Sequence, residues 1–279
     1  MTKGKMTNRG RYGDVWDQYV TESFPAIQGG EPYSGQSLKP WRVLNQSDDY
    51  YAWPGDEWGD KASSKRLLDE ALTLNAVNLI CEFGAGGGRY TQLLLEKYES
   101  VEIISYDVSQ KFEQVLRQRF SEEVDAGKLD TEILLEDPYQ VVRSIKRRGK
   151  LGQVDAFVSF DAMVHVELHT LFMYWFAATK CLRIGGQLAM NVANAGSELG
   201  FMKLAANAPG VYRGQGGVGG HFMWISPDIV HYLLTNLGFT VNLLEGNGRD
   251  LSFSATLENP ERGRVLFEAA GADYFNRNF

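Results

Sequence analysis

Leu79-Ile80-Cys81-Glu82-Phe83-Gly84-Ala85-Gly86-Gly87-Gly88-Arg89 decides how this chain is read. An apolar strand pattern runs into a glycine-rich turn, and a helix pattern leaves it. Glycines let the backbone turn tightly and approach a ligand closely. The helix that follows aims free N–H groups at that ligand, which suits a carboxylate or a phosphate. The spacing is Gly84-x-Gly86-x-Gly88. A dinucleotide fingerprint needs Gly or Ala where this chain has Arg89, so the turn departs from that pattern. A second strand pattern ends at Asp107, where an acid accepts hydrogen bonds from ribose hydroxyls.

Outward from this stretch, strands and helices alternate. A helix over Lys65 to Leu74 leads into a strand over Val77 to Phe83. Strands follow at Val101 to Tyr106, Thr131 to Leu135, Val154 to Phe160 and Gln187 to Val192. Helices over Tyr90 to Tyr98, Phe112 to Phe120, Tyr139 to Arg148 and Leu168 to Thr179 separate them, the last stopped by Gly185-Gly186. Ser226 is a good N-cap with Pro227 at the first helical position, and Gly238 suits the far end. Phe239 to Leu244 and Leu251 to Leu257 pair antiparallel across Gly246-Asn247-Gly248. This rhythm predicts an α/β fold, a doubly wound, seven-stranded, mostly parallel sheet with its last strand inserted antiparallel. Ala193 to Ile225 is glycine-rich and predicts a long irregular lid loop. Residues 1–60 hold Trp16, Tyr19, Trp41, Tyr50, Tyr51, Trp53 and Trp58, too many aromatics for a disordered tail, and predict a cap over the 61–257 domain. The tail 258–279 leaves docking on the same domain or on a partner copy, as a homodimer, equally open.

The Glu82-x-Gly84-x-Gly86-x-Gly88 run followed by Asp107 resembles motif I and the acidic position of class I S-adenosylmethionine-dependent methyltransferases of the small-molecule type. The likeness extends from about Lys65 to Leu257. It implies a Rossmann-like methyltransferase fold with S-adenosylmethionine held by Gly84, Ala85, Gly86, Gly88, Asp107 and Val108. By the same resemblance, Asp137 and Pro138 (with Glu136) flank the adenine. Phe160 and Asp161 border the methionine part and the methyl group. Glu82 at the strand's end is expected near the methionine part or its ammonium. Leu182 to Leu188 resembles the family's turn into its fifth strand.

Methyl transfer from a sulfonium is a single displacement that mainly needs alignment, with a base where the acceptor carries a proton. Of four histidines, His165 follows the fourth strand, where small-molecule members of the family often carry one. It is the first candidate for base or substrate anchor, and His221 in the glycine-rich loop is the second. His165, Glu167 and His169 invite a metal reading, but Glu167 is offset from the face the histidines share, and no metal is expected. Tyr12, Trp16, Tyr19, Trp58, Tyr212, Phe222 and Trp224 suit a ring-bearing acceptor, with Tyr19 and Trp58 the first choices for ligand contacts.

The bulk numbers fit one large domain: 279 residues, 44% hydrophobic and 23% charged. A net charge of −7 and an isoelectric point near 5.2 offer no general attraction to nucleic acid or to an anionic membrane. The one basic run, Lys146, Arg147, Arg148 and Lys150, reads as a solvated helix end. Two cysteines, Cys81 and Cys181, make neither a disulfide framework nor a zinc site, and no apolar run reaches membrane length, so a cytoplasmic protein is expected. A nicotinamide-dependent oxidoreductase and a catalytically silent S-adenosylmethionine-binding subunit are the competing readings. The first is opposed by Arg89, the second by the aromatic cap.

Overall fold

A computed structural model describes residues 12–23, 53–135, 138–213, 222–244 and 248–269. Its centre is a seven-stranded sheet of order β3-β2-β1-β4-β5-β7-β6. The strands are β1 (Leu79–Phe83), β2 (Glu102–Asp107), β3 (Leu129–Ile133), β4 (Val154–Ser159), β5 (Leu182–Ala193), β6 (Phe239–Leu244) and β7 (Asp250–Leu257). β1 to β5 pair in parallel, whereas β7 runs antiparallel to both β5 and β6. The predicted hairpin and the inserted last strand are both present.

The helices are α1 (Asp14–Gln18), α2 (Lys61–Ala71), α3 (Arg89–Lys97), α4 (Gln110–Arg119), α5 (Ser121–Asp125), α6 (Tyr139–Arg147), α7 (Leu168–Cys181), α8 (Glu198–Tyr212), α9 (Pro227–Asn236) and α10 (Glu261–Ala269). Those that follow a parallel strand cover the sheet, so its central strands are buried on both sides. Side chains alternate across the sheet with period two. Leu79, Cys81 and Phe83 of β1 join Ile104 and Tyr106 of β2 in the core on one face. Ile80 and Ile103 join Ala156 and Val158 in the core on the other. Each such large side chain taken from water contributes about 1.5–3 kcal/mol.

Local chemistry starts the helices where side chains can cap them. Asp60, Ser109 and Ser226 each accept an N–H from the third residue on, at the heads of α2, α4 and α9. Gly238 follows α9 at φ +94°, a left-handed stop that its lack of a Cβ permits.

Two expectations fail here. Residues 193–225 are not one irregular loop, because α8 occupies Glu198–Tyr212. Ser197 caps it by accepting from the Gly200 N–H, and Lys203-Leu204-Ala205-Ala206 are strong helix formers. Gly200 is no breaker: a Cβ there would lie 1.7 Å from the Asn194 carbonyl oxygen, so the helix needs glycine to sit this close to β5. Nor does Gly185-Gly186 precede the fifth strand. β5 starts at Leu182 and carries the pair inside an irregularity of its pairing with β4.

The described residues before α2 are anchored. Tyr19 and Val20, in the single turn after α1, pack with Trp53, Phe112 and Val115. Arg119 is buried and donates to Asp56, to the Gly87 carbonyl and to Gln92. That places residues 53–58 directly on the glycine turn. Three cations of the basic run at the end of α6 are paired locally: Arg147 and Arg148 with Glu132, Arg148 also with Asp130, and Lys150 with Glu102, while Lys146 is exposed. Both cysteines are buried thiols. Among the described residues no helix is long and apolar enough to cross a membrane.

Candidate active site

The parallel strands end at a cleft, as doubly wound sheets dispose their ligand sites. Its walls are the glycine turn (Gly84, Gly86), the end of β2 (Asp107, Val108), Leu134 beyond β3, and the segment after β4 (Asp161, Ala162, Met163, His165, Val166). Tyr12, Trp16, Trp58 and Phe112 form the side nearest the cap, and about 700 Å³ of space lies between the walls, counting the open mouth.

Asp107 is held in place by backbone. Its Oδ1 accepts the Ser109 N–H at 2.9 Å and its Oδ2 accepts the Gly86 N–H at 3.2 Å. Burial pushes the carboxyl up to about 6, against the pull of those N–H groups. Each oxygen keeps a lone pair for a ligand hydroxyl. Gly84 and Gly88 are left-handed, at φ +65° and +89°. A Cβ on Gly88 would lie 2.3 Å from the Phe120 ring, so this glycine serves packing beneath the turn and lines no cleft.

Glu82 is a correction. Strand alternation turns it to the Ile80 face, under α3, where the Thr91 hydroxyl donates to it at 2.6 Å. It borders none of the clefts. Burial, with Asp107 adding its charge, pushes its carboxyl up to about 7. Glu82 therefore braces the glycine turn from below. Pro138 stands at the N-cap position of α6 and is not among the residues that line the first cleft. Ala85 and Phe160 border a smaller cleft over the glycine turn, with Gly55, Trp58, Arg89, Tyr90 and Asp161. Phe160 stacks on Tyr90 there, ring centroids 4.5 Å apart. Asp137 and His221 lie outside the described residues.

A second cleft adjoins the first. Trp16, Trp58, Asp161 and His165 belong to both, and Tyr19, Val164, Lys203, Phe222 and Arg249 complete it. Asp161 sits at φ +61°, a left-handed conformation unusual for a residue with a Cβ. It is held there from three directions. Its N–H donates to Asn191, the Asn191 amide donates back to its carboxylate, and buried Arg89 pairs with it. His165 closes a 3-10 turn after β4. Its ring centroid lies 5.2 Å from that of Trp16 and 5.0 Å from that of Phe222. His169 is exposed on the first turn of α7, and among the described residues no three His, Cys, Asp or Glu side chains gather as a metal site would require. Tyr19 and Trp58, both chosen from sequence, stack tilted at 4.8 Å. Tyr212 is 93% exposed and lines neither cleft.

No family model matches the chain, and no curated protein matches it. Solved structures do. A phosphoethanolamine N-methyltransferase from Haemonchus contortus, in complex with phosphomonomethylethanolamine and S-adenosylhomocysteine, superposes with TM-score 0.52 at 12% identity. The match covers 71% of this chain and 53% of that one, so this chain spans about half the length of that enzyme. A SAM-dependent methyltransferase from Archaeoglobus fulgidus matches over its whole length, and over 75% of this chain, with TM-score 0.54 at 12% identity. An O-methyltransferase family protein from Burkholderia thailandensis gives TM-score 0.54 at 12% identity, over 71% of this chain and 56% of that one. This chain has the class I methyltransferase fold.

The turn, Asp107 and His165, singled out from the sequence, all border the clefts. The sequence had not shown Lys203, Arg249, Leu134 or Val164 as walls. Lys203 was hidden by reading its stretch as a loop, and the Ser197 cap was the signal that would have exposed the helix. Asp17 of α1 was also missed. It accepts the Ser109 hydroxyl at 2.6 Å and the Lys111 N–H at 3.0 Å, so it completes the head of α4.

Proposed function

We propose that this protein transfers a methyl group from S-adenosylmethionine to a small-molecule acceptor, with oxygen preferred over nitrogen as the receiving atom. The observation that carries the reading is the junction of the two clefts at Trp16, Trp58, Asp161 and His165. The donor set of the first cleft suits the cofactor: Asp107 for ribose hydroxyls, Val108 and Leu134 for a flat base, and Gly84 and Gly86 for close approach of the backbone. Asp137 and Pro138 stay assigned to the adenine end. When bound, S-adenosylmethionine supplies an electrophilic methyl on a sulfonium and leaves as the neutral thioether S-adenosylhomocysteine.

The chain's own groups do the rest. Trp16, Tyr19, Trp58 and Phe222 exclude water and align a flat acceptor. His165 takes the acceptor's proton at an imidazole nitrogen as the new bond to carbon forms. His221 is the second candidate for that role. The oxidoreductase alternative is disfavoured by Arg89, which is buried and paired with Asp161 where a dinucleotide turn needs a small residue. The 258–279 tail docks either on the same domain, where Gly263 lies beside Leu237, or on a partner copy as a homodimer.

Calorimetric titration with S-adenosylhomocysteine and, in parallel, with NADH tests the class. S-adenosylhomocysteine alone is expected to bind, and Asp107→Ala to weaken it about 30-fold, as loss of charge-assisted hydrogen bonds does. Binding of NADH instead, or of neither, overturns the reading.

A further inference from the structure

We propose that the second cleft selects an acceptor with a carboxylate or phosphate group on a small flat body, the anionic end held by Lys203 and Arg249 over Phe222. This rests on the methyl-transfer reading of the adjoining cleft.

Three separate elements converge to make this end. Lys203 comes from α8, Arg249 from the entry to β7, and Phe222 from the segment before α9. The Lys203 ammonium lies 5.6 Å and the Arg249 guanidinium 4.8 Å from the centroid of the same Phe222 ring. All three mounts are fixed by hydrogen bonds to backbone carbonyls, the first from a side-chain hydroxyl. Ser197 at the head of α8 donates to the Gly248 carbonyl, the Asn194 N–H donates to the Arg249 carbonyl, and the Met223 N–H beside Phe222 donates to Val164. Two cations gathered on one ring in a protein of net charge −7 oppose both each other and the chain's general balance.

The charges around the cleft do not cancel. Arg89 is matched by Asp161, and Arg249 by Asp250. Lys203, half-buried, has no carboxylate partner among the described residues. Arg147, Arg148 and Lys150 of the basic run are by contrast each met by an acid, whereas Lys146 of that run projects from a helix surface rather than lining a cleft. Lys203 is thus a cation without an acid in a cleft walled by Trp16, Tyr19, Trp58 and Phe222. Among apolar walls such a charge attracts an anion more strongly than it does in water.

The same geometry sets the orientation and the size. At the junction Asp161 and Arg89 cancel, while at the far end Lys203 attracts an anion and Arg249, although paired with Asp250, adds guanidinium donors. His165, at the junction, is one ring contact from Phe222. The acceptor's receiving atom and its anionic group are therefore about one aromatic ring apart.

The test is calorimetry on the full chain saturated with S-adenosylhomocysteine, with three probes: para-hydroxybenzoate, phenyl phosphate and the neutral para-hydroxybenzamide. At least one anion is expected to bind about tenfold more tightly than the amide. Which of the two does so separates carboxylate from phosphate recognition. The preference is expected to shrink with added salt. Lys203→Gln is expected to remove most of it and Lys203→Gln with Arg249→Gln all of it, both retaining S-adenosylhomocysteine affinity as the control for folding. Equal affinity for anion and amide, no binding of any probe, or a preference that survives the double substitution overturns the proposal. Failure of the wild type to bind S-adenosylhomocysteine overturns the reading beneath it, and the proposal with it.

Discussion

The two clefts are built in different ways. The floor of the first is set by backbone: a glycine turn, a strand end, and an Asp107 carboxylate fixed by two N–H groups, with side chains from the N-terminal residues and the segment after β4 completing its walls. The second is made of side chains that α8, the β7 entry and the segment before α9 bring together from distant parts of the sequence. A site made of backbone is constrained by what the fold itself requires. A site made of converging side chains can change its ligand while the fold stays the same.

The largest expected effect separates a glycine packed tightly beneath the turn of the first cleft from an open glycine of α8, the helix that carries Lys203 to the second. Gly88→Val adds a side chain where a Cβ alone would lie 2.3 Å from Phe120 and 2.8 Å from Leu116, at a left-handed φ. A loss of about 3–5 kcal/mol is expected in urea unfolding. Gly210→Ala, in α8 with nothing within 4 Å of the new Cβ, is expected instead to stabilise by about 0.5–1 kcal/mol. Equal and small effects at both sites would erase the distinction. Next in size is His165→Gln. With whichever acid turns over, S-adenosylhomocysteine formation is expected to fall about 100-fold in kcat, while S-adenosylhomocysteine affinity is kept. An unchanged kcat would leave His165 as an anchor only.

The smallest effect is one of pH. Burial raises Asp107 to about 6 and Glu82 to about 7. Raised acids add stability below the ordinary carboxylate range and lose it as pH climbs through their folded values. A ribose hydroxyl that donates to ionised Asp107 favours the deprotonated form. S-adenosylhomocysteine affinity is therefore expected to rise severalfold from about pH 5 to about pH 7.5. Asp107→Asn is expected to flatten that rise, and a flat wild-type profile would mean that ligand hydroxyls do not meet Asp107.

What the sequence made legible follows the same division. Buried strands and capped helices write themselves as local patterns, so the sheet, its inserted β7 and the turn around Gly84 to Gly88 could be read. Glu82 was misplaced although its own strand held the answer: it shares parity with Ile80, not with Phe83. α8 was missed because glycines were counted as breakers, whereas Gly200 is required by contact with Asn194. Lys203 and Arg249 carry no local mark at all, because only the folded chain makes them neighbours.

Asp17 extends that point to the cap. The acceptor for the Lys111 N–H, at the head of α4, is supplied by a helix at the far beginning of the chain. Excising everything before Lys61 would leave that amide without its carboxylate and uncover Phe112 and Val115. The rhythm of the sequence draws a seam near residue 60, but the packing and hydrogen bonds cross it. The two parts could not be exchanged between proteins like modules, because each contains a piece of the other's foundation.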